Sequence, residues 1–260
     1  MKLTLFWSAT LALFLGFGGT APAQAGPAPI AIAAAGDLRG VLEELKADYE
    51  KKHPDVQLQA SYGASGSLTI QIQQGAPFDI FLAADTSFPE ILQKDGLVTA
   101  DGLFPYTTGR LTLWVRKDLN LDPAKDGLKV LLQPSVKKIS TANPKTAPYG
   151  RAGEAALRQA GLYDAVQPRL VYADNIAQAA QFLQAGTAEA GLISFSQADN
   201  PALKQSGVVW VVPADAYPPL RQAGVILKRS QVLDQAKAFM VYLVGAEGQS
   251  ILARHGFAKP

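Results

Sequence analysis

The chain has 260 residues, 24 Lys and Arg against 22 Asp and Glu, a formal net charge of +2 and no cysteine. That even balance, with no Lys/Arg block, excludes the electrostatic footprint of a nucleic-acid or anionic-membrane binder. The missing cysteines exclude disulfide staples, a lipidated N-terminal Cys and, with only His53 and His255 in the chain, a His/Cys metal cage.

Residues 1–25 read as an export signal. Lys2 precedes an uncharged run over 3–18, and Ala23-Gln24-Ala25 supplies the small-residue cleavage site. The run is shorter than the roughly 20 apolar residues that span a bilayer. The expected product is a free periplasmic protein starting near Gly26.

From there strands and helices alternate. A buried strand is expected over 30–35. A helix over 38–52 follows, with Leu38, Val41, Leu42, Leu45 and Tyr49 on one face and Pro54 as its stop. A second strand over 56–61, a small-residue loop over 63–67, a helix over 68–74 ended by Gly75 and a strand over 78–83 complete a β-α-β-α-β series. Strands are expected again over 111–116, 139–141, 170–172, 191–195, 208–212 and 225–228. Helices are expected over 151–160 and 176–185, and a last long one from near Val232. This alternation predicts an α/β protein with mostly parallel sheets. The same plan is used twice, which fits two lobes around a cleft. Crossings near 105–108 and 213–220 would make one lobe of 26–107 plus 216–260 and the other of 108–215.

The two histidines are placed as helix C-terminal residues, and Gly63-Ala64-Ser65-Gly66-Ser67 fails the nucleophile-elbow pattern G-x-S-x-G. Neither phosphate-loop nor dinucleotide glycine motifs occur. What stands out is four strand-to-helix loops, over 34–37, 61–67, 144–150 and 173–176. In a parallel sheet such loops gather at the carboxyl ends of the strands. Each helix start offers unpaired N–H groups and the positive end of a dipole, so together they form an anion site without a cation. Taken singly, Asp37, Ser65, Ser67, Asp174 and Asn175 are ordinary N-cap types. The concurrence of four loops favours a site. Gly63 and Gly66 let backbone approach a ligand, and Ser65 and Ser67 add hydroxyls.

At these residues the chain resembles the periplasmic molybdate-binding proteins of ABC transporters. The resemblance runs from Ile30 to Phe257. It is carried by Ala33-Ala34-Ala35-Gly36-Asp37-Leu38, Tyr62-Gly63-Ala64-Ser65-Gly66-Ser67-Leu68, Gly75-Ala76-Pro77-Phe78-Asp79-Ile80-Phe81, Pro148-Tyr149-Gly150, Asp174-Asn175-Ile176, Ala190-Gly191-Leu192-Ile193 and Gly256-Phe257. It implies a type II periplasmic-binding fold, two lobes closing over molybdate or tungstate, delivery to a membrane permease, no enzymatic activity, no cofactor and a monomer. The implied oxyanion site is Gly36, Asp37, Ser65, Tyr149 and Ile176. Ser65 would give hydroxyl and backbone donors, and Tyr149 and Ile176 backbone N–H groups from the second lobe. Three departures stand out: Gly36 replaces a hydroxyl residue of many members, Ser194 replaces a tyrosine of some, and Tyr149, expected to line the pocket, stands where others have a small residue. Asp37 is expected to cap backbone N–H groups and face away from the ligand. The alternatives are another small oxyanion, sulfate or phosphonate, or a secreted hydrolase using Ser65.

Overall fold

The structure is a computed structural model that describes residues 29–260. The export-signal reading falls outside them.

Ten strands run in chain order: β1 (Ile30–Ala35), β2 (Leu58–Gly63), β3 (Ile80–Ala83), β4 (Phe104–Gly109), β5 (Leu111–Arg116), β6 (Ile139–Ala142), β7 (Leu170–Ala173), β8 (Ala190–Ser194), β9 (Gly207–Val211) and β10 (Leu220–Ile226). They form two five-stranded sheets, ordered β2-β1-β3-β10-β4 and β7-β6-β8-β5-β9. The two orders match position for position, which is the repeated plan seen in the sequence. In each sheet four strands point one way, and one, β10 or β5, runs against both its neighbours. Helices flank both sheets, giving a mixed α/β fold of two lobes. The chain passes between the sheets at Gly109–Leu111 and returns before Leu220.

Burial follows strand periodicity. In β1, Ile30, Ile32 and Ala34 join one apolar cluster with Leu42, Leu45 and Phe239, while Ala33 faces Leu68, Ile72 and Phe81 on the other side of the sheet. This two-sided burial explains why β1 reads as an unbroken apolar run. The second lobe has one large core, in which Trp114, the largest fully buried side chain, donates its indole N–H to Leu203 O at 2.8 Å.

Element boundaries moved most at the loops that matter. The helix expected over 38–52 is Val41–Lys52, preceded by a separate 3-10 turn, Gly36–Leu38. Gly40, at φ 102, breaks the two apart. The stretches expected as loops over 63–67 and 143–150 already contain helix starts, Ser65 and Pro148. The helix Ser87–Lys94 and strand β4 were not foreseen, and β10 begins five residues earlier than the strand expected at Val225. The last helix is two, Leu233–Val244 and Ala246–Arg254, divided at Gly245.

Candidate functional site

Three helices of nine residues or more begin at the carboxyl ends of strands that face the interlobe cleft. They are Ser65–Gln73 after β2, Pro148–Gln159 after β6 and Ile176–Gln184 after β7. Each starts in a way that leaves donors free. Ser65–Gln73 has Ala64 at its N-cap, with no capping side chain. Pro148–Gln159 has Ala147 there and a proline in its first turn, where the missing N–H costs nothing. Ile176–Gln184 is capped by Asn175, whose side chain takes only the Gln178 N–H, at 3.1 Å. Among the described residues no protein acceptor takes the N–H of Ser65, Tyr149 or Ile176. These residues are 0%, 1% and 3% exposed. Buried helix ends without partners are costly unless something outside the helix satisfies them.

All five residues named from the sequence, Gly36, Asp37, Ser65, Tyr149 and Ile176, line one cavity of about 200 Å³, together with Ala35, Gly63, Ala64, Ala84, Ala147 and Pro148. Only about 10 Å³ of it is open to the centre of a water-sized sphere, room for a single compact guest. No Lys or Arg lines it. Its positive potential comes from the three helix starts. A larger surface groove beside Tyr163 and Tyr172 is open to solvent, and its Arg158 is already paired with Glu154 at 2.7 Å.

Ser65 is held as a donor. Its Oγ accepts the Ala84 N–H at 3.0 Å, which leaves its own proton to give. Thr69 Oγ1 ties the same turn by donating to Ser65 O at 2.8 Å. Gly36 packs against the Ile176 helix: a methyl group on it would lie 3.0 Å from Asn175 Oδ1 and 3.2 Å from Ala177 N. A hydroxyl-bearing side chain at this position would need that helix start to shift.

Asp37 sits inside its turn, whose cap is Ala35, and the backbone N–H groups of Asp37 and Leu38 both act on its carboxylate. Its carboxylate is fully buried and accepts from Gln222 Nε2 at 2.5 Å through Oδ2, while Oδ1 has no hydrogen-bond partner among the described residues. Gln222 Oε1 in turn accepts from Tyr106 at 2.8 Å, and the Tyr149 hydroxyl lies 3.5 Å from Gln222 Nε2. Burial pushes the Asp37 pKa from its ordinary 3.8 up to about 6, against the pull of Gln222 and Tyr149. Burial likewise raises both tyrosines well above their usual value, so they stay neutral donors.

The sequence reading missed the groups that join the lobes. Gly66 N donates to Thr146 O at 2.9 Å across the cleft. Ser196 Oγ donates to Asp37 O at 2.7 Å, and Gln197 Nε2 donates to Gly36 O at 3.1 Å. Ser194 is fully buried and shares a hydrogen bond with Ser196. Arg151 reaches Asp85 at 2.8 Å, with side chains 40% and 30% exposed. A partly exposed pair contributes at most about 1 kcal/mol, so Arg151→Ala is expected to weaken ligand binding no more than about fivefold. Titration calorimetry of that variant checks this, and a loss beyond tenfold would give the pair a larger role than its exposure allows.

Among the described residues no histidine lines this cavity. His53 and His255 both sit as C-caps, and His255 Nε2 meets Glu44 Oε2 at 2.7 Å.

Residues 30–258 match the family model of the bacterial extracellular solute-binding proteins. The molybdate-binding protein of Azotobacter vinelandii is 37% identical over 235 residues, 90% of this chain and 91% of that protein. That of Rhodobacter capsulatus is 34% identical over 247 residues, 95% and 94% of the two chains. The solved structure of the Azotobacter vinelandii periplasmic molybdate-binding protein superposes with a TM-score of 0.82 at 32% identity, covering 89% of this chain and 99% of that one. The sulfate-binding protein of Mycobacterium tuberculosis, 18% identical with a TM-score of 0.66, shares the fold. With its two matching sheets, its interlobe cavity and these relatives, the chain belongs to the bacterial extracellular solute-binding protein family.

Proposed function

We propose that this chain captures molybdate, and tungstate with it, in the periplasm and delivers it to the permease of an ABC importer. The observation that carries the reading is the convergence of three under-capped helix starts, from two lobes, on one small cavity that no cation lines. Such a cavity suits a compact dianion with no proton of its own. The kinship with molybdate-binding proteins supports the choice among oxyanions.

The donors in this reading are the N–H groups of Gly36, Asp37, Ser65, Tyr149 and Ile176 and the Ser65 hydroxyl. Charge-assisted hydrogen bonds contribute about 1.5–3 kcal/mol each. Six of them supply about 9–18 kcal/mol gross, which reaches the roughly 12 kcal/mol of a nanomolar complex near the upper end of that range once the cost of association is met. Sulfate has the same charge and shape but shorter bonds, so donors fixed at helix starts reach it poorly. Lobe boundaries near 107 and 216, with hinge motion about them, fit the crossings of the chain. The protein acts as a monomer without a cofactor and performs no turnover, and the closed pair of lobes is the surface the permease reads.

Calorimetric titration in phosphate-free buffer tests this. Molybdate and tungstate are expected to bind tightly and to raise the melting temperature, and sulfate to compete only at large excess. Absence of heat and of any thermal shift with molybdate would overturn the reading. Equal competition by sulfate would overturn the size argument.

A further inference from the structure

Asp37 is a carboxyl group in the wall of a cavity read here as a dianion site, and no cation balances it. Its neighbours can be named from every side. β10 supplies Gln222, β4 supplies Tyr106, and the Pro148 helix supplies Tyr149. The Ile176 helix start brings Asn175 and Ala177 against the neighbouring Gly36, with Asp174 exposed before them, and the turn after β8 brings Ser196 and Gln197. On the β2 side stands Tyr62, whose hydroxyl donates to Glu43 and whose ring carries Arg39 at 4.5 Å. Arg39 is exposed and forms no ion pair with Asp37. Every group within reach of the carboxyl is neutral.

One of its oxygens is unpaired although fully buried. As a carboxylate oxygen it is an acceptor on a residue that lines a cavity for an anion, the wrong sign for its place. As the O–H of a carboxylic acid it is a donor. Its enclosure depends on closure: Tyr149, Ser196 and Gln197 come from the second lobe, while Asp37, Tyr106 and Gln222 belong to the first.

We propose that the chain takes up one proton together with its oxyanion and holds it on Asp37, so that a carboxylic acid stands in the closed, loaded cleft. The inference rests on the oxyanion reading above. The proton comes from solvent, adds to the Asp37 carboxylate, and leaves when the lobes open and the anion departs.

The direction follows from linkage. The enclosed group holds its proton up to about pH 6 even without a dianion beside it, against an ordinary 3.8 when solvated. A nearby dianion raises it further. The loaded form therefore binds more protons than the open form, and affinity rises as pH falls from above neutrality, by up to about tenfold per pH unit.

The experiment is titration of the full mature chain with sodium molybdate at pH 7, in several phosphate-free buffers of different ionisation enthalpy. The apparent binding enthalpy is expected to vary linearly with buffer enthalpy, with a slope approaching one proton taken up. Asp37→Asn, which presents an amide donor in place of the acid, is expected to take up none and to lose the extra pH dependence. Because that variant can fail to bind, an infrared difference spectrum of the unsubstituted protein is the second measurement. Molybdate is expected to convert one ionised carboxylate band into a protonated carbonyl band. Tight binding with zero proton slope and no such band overturns the inference and leaves the oxyanion reading intact. No binding at all overturns both.

Discussion

Replacing Ser65 with alanine is expected to weaken molybdate binding by about ten- to a hundredfold, the equivalent of one charge-assisted hydrogen bond. The hydroxyl is worth that much because it is not free to rotate. The Ala84 N–H occupies its acceptor side at 3.0 Å, in a fully buried position, so its proton is directed elsewhere. Alanine keeps the helix start and its backbone N–H but removes this donor. It also leaves the Ala84 N–H without a partner, at a cost of about 1–3 kcal/mol in stability. The two effects separate in measurement. Calorimetry with molybdate reads the first, and thermal unfolding without ligand reads the second. A variant that melts earlier but binds molybdate as tightly as before would make Ser65 a structural brace for β3 and nothing more. A hydrolytic role for Ser65 would instead predict complete loss of some turnover, and neither histidine lines its cavity to serve as the base.

The sequence made the helix-start loops visible because their chemistry is local. Gly63, Ser65, Pro148 and Asn175 are residues whose backbone preferences announce a turn into a helix. The repeated strand-loop-helix plan likewise survives in the matched orders of the two sheets. Asp37 was legible as a problem but not as a solution. Its partner Gln222 lies 185 residues away in sequence, and no local rule links them. A signal for Gln222 did exist. In β10, Leu220, Gln222 and Gly224 share one face by strand alternation, so Gln222 is a polar residue on an inward row. Placing the strand's start at Val225 hid that register. The lobe-to-lobe bonds from Thr146, Ser196 and Gln197 were illegible for a related reason. They involve backbone carbonyls of Gly36 and Asp37 and the N–H of Gly66, and a backbone group has no sequence signature.

Substituting alanine for Gly150 is expected to lower stability by about 2 kcal/mol, a fall in melting temperature of roughly 4–8 °C for a domain of this size, and to weaken molybdate binding at least tenfold. Gly150 lies in the first turn of Pro148–Gln159 with ordinary helical backbone, so conformational freedom is not its purpose. Space is. A β-carbon there would meet Ala142 O at 2.3 Å and Pro144 N at 2.8 Å. Both atoms are backbone, one at the end of β6, so neither can swing aside. Alanine would normally gain about 0.8–1.0 kcal/mol over glycine inside a helix, and the overlap outweighs that gain. Relief requires the helix start to move away from β6. That start carries the Tyr149 N–H into the cavity and Arg151 toward Asp85, so stability and affinity fall together. The control lies one turn further along the same helix. A β-carbon on Gly153 would meet Leu192 and Thr141 at 3.4 Å, ordinary contact distance, so Gly153→Ala is expected to leave the melting temperature unchanged or raised and binding intact. Equal behaviour of the two variants in unfolding and titration would show that close approach of this helix to β6 is not what sets the donor geometry of the cleft.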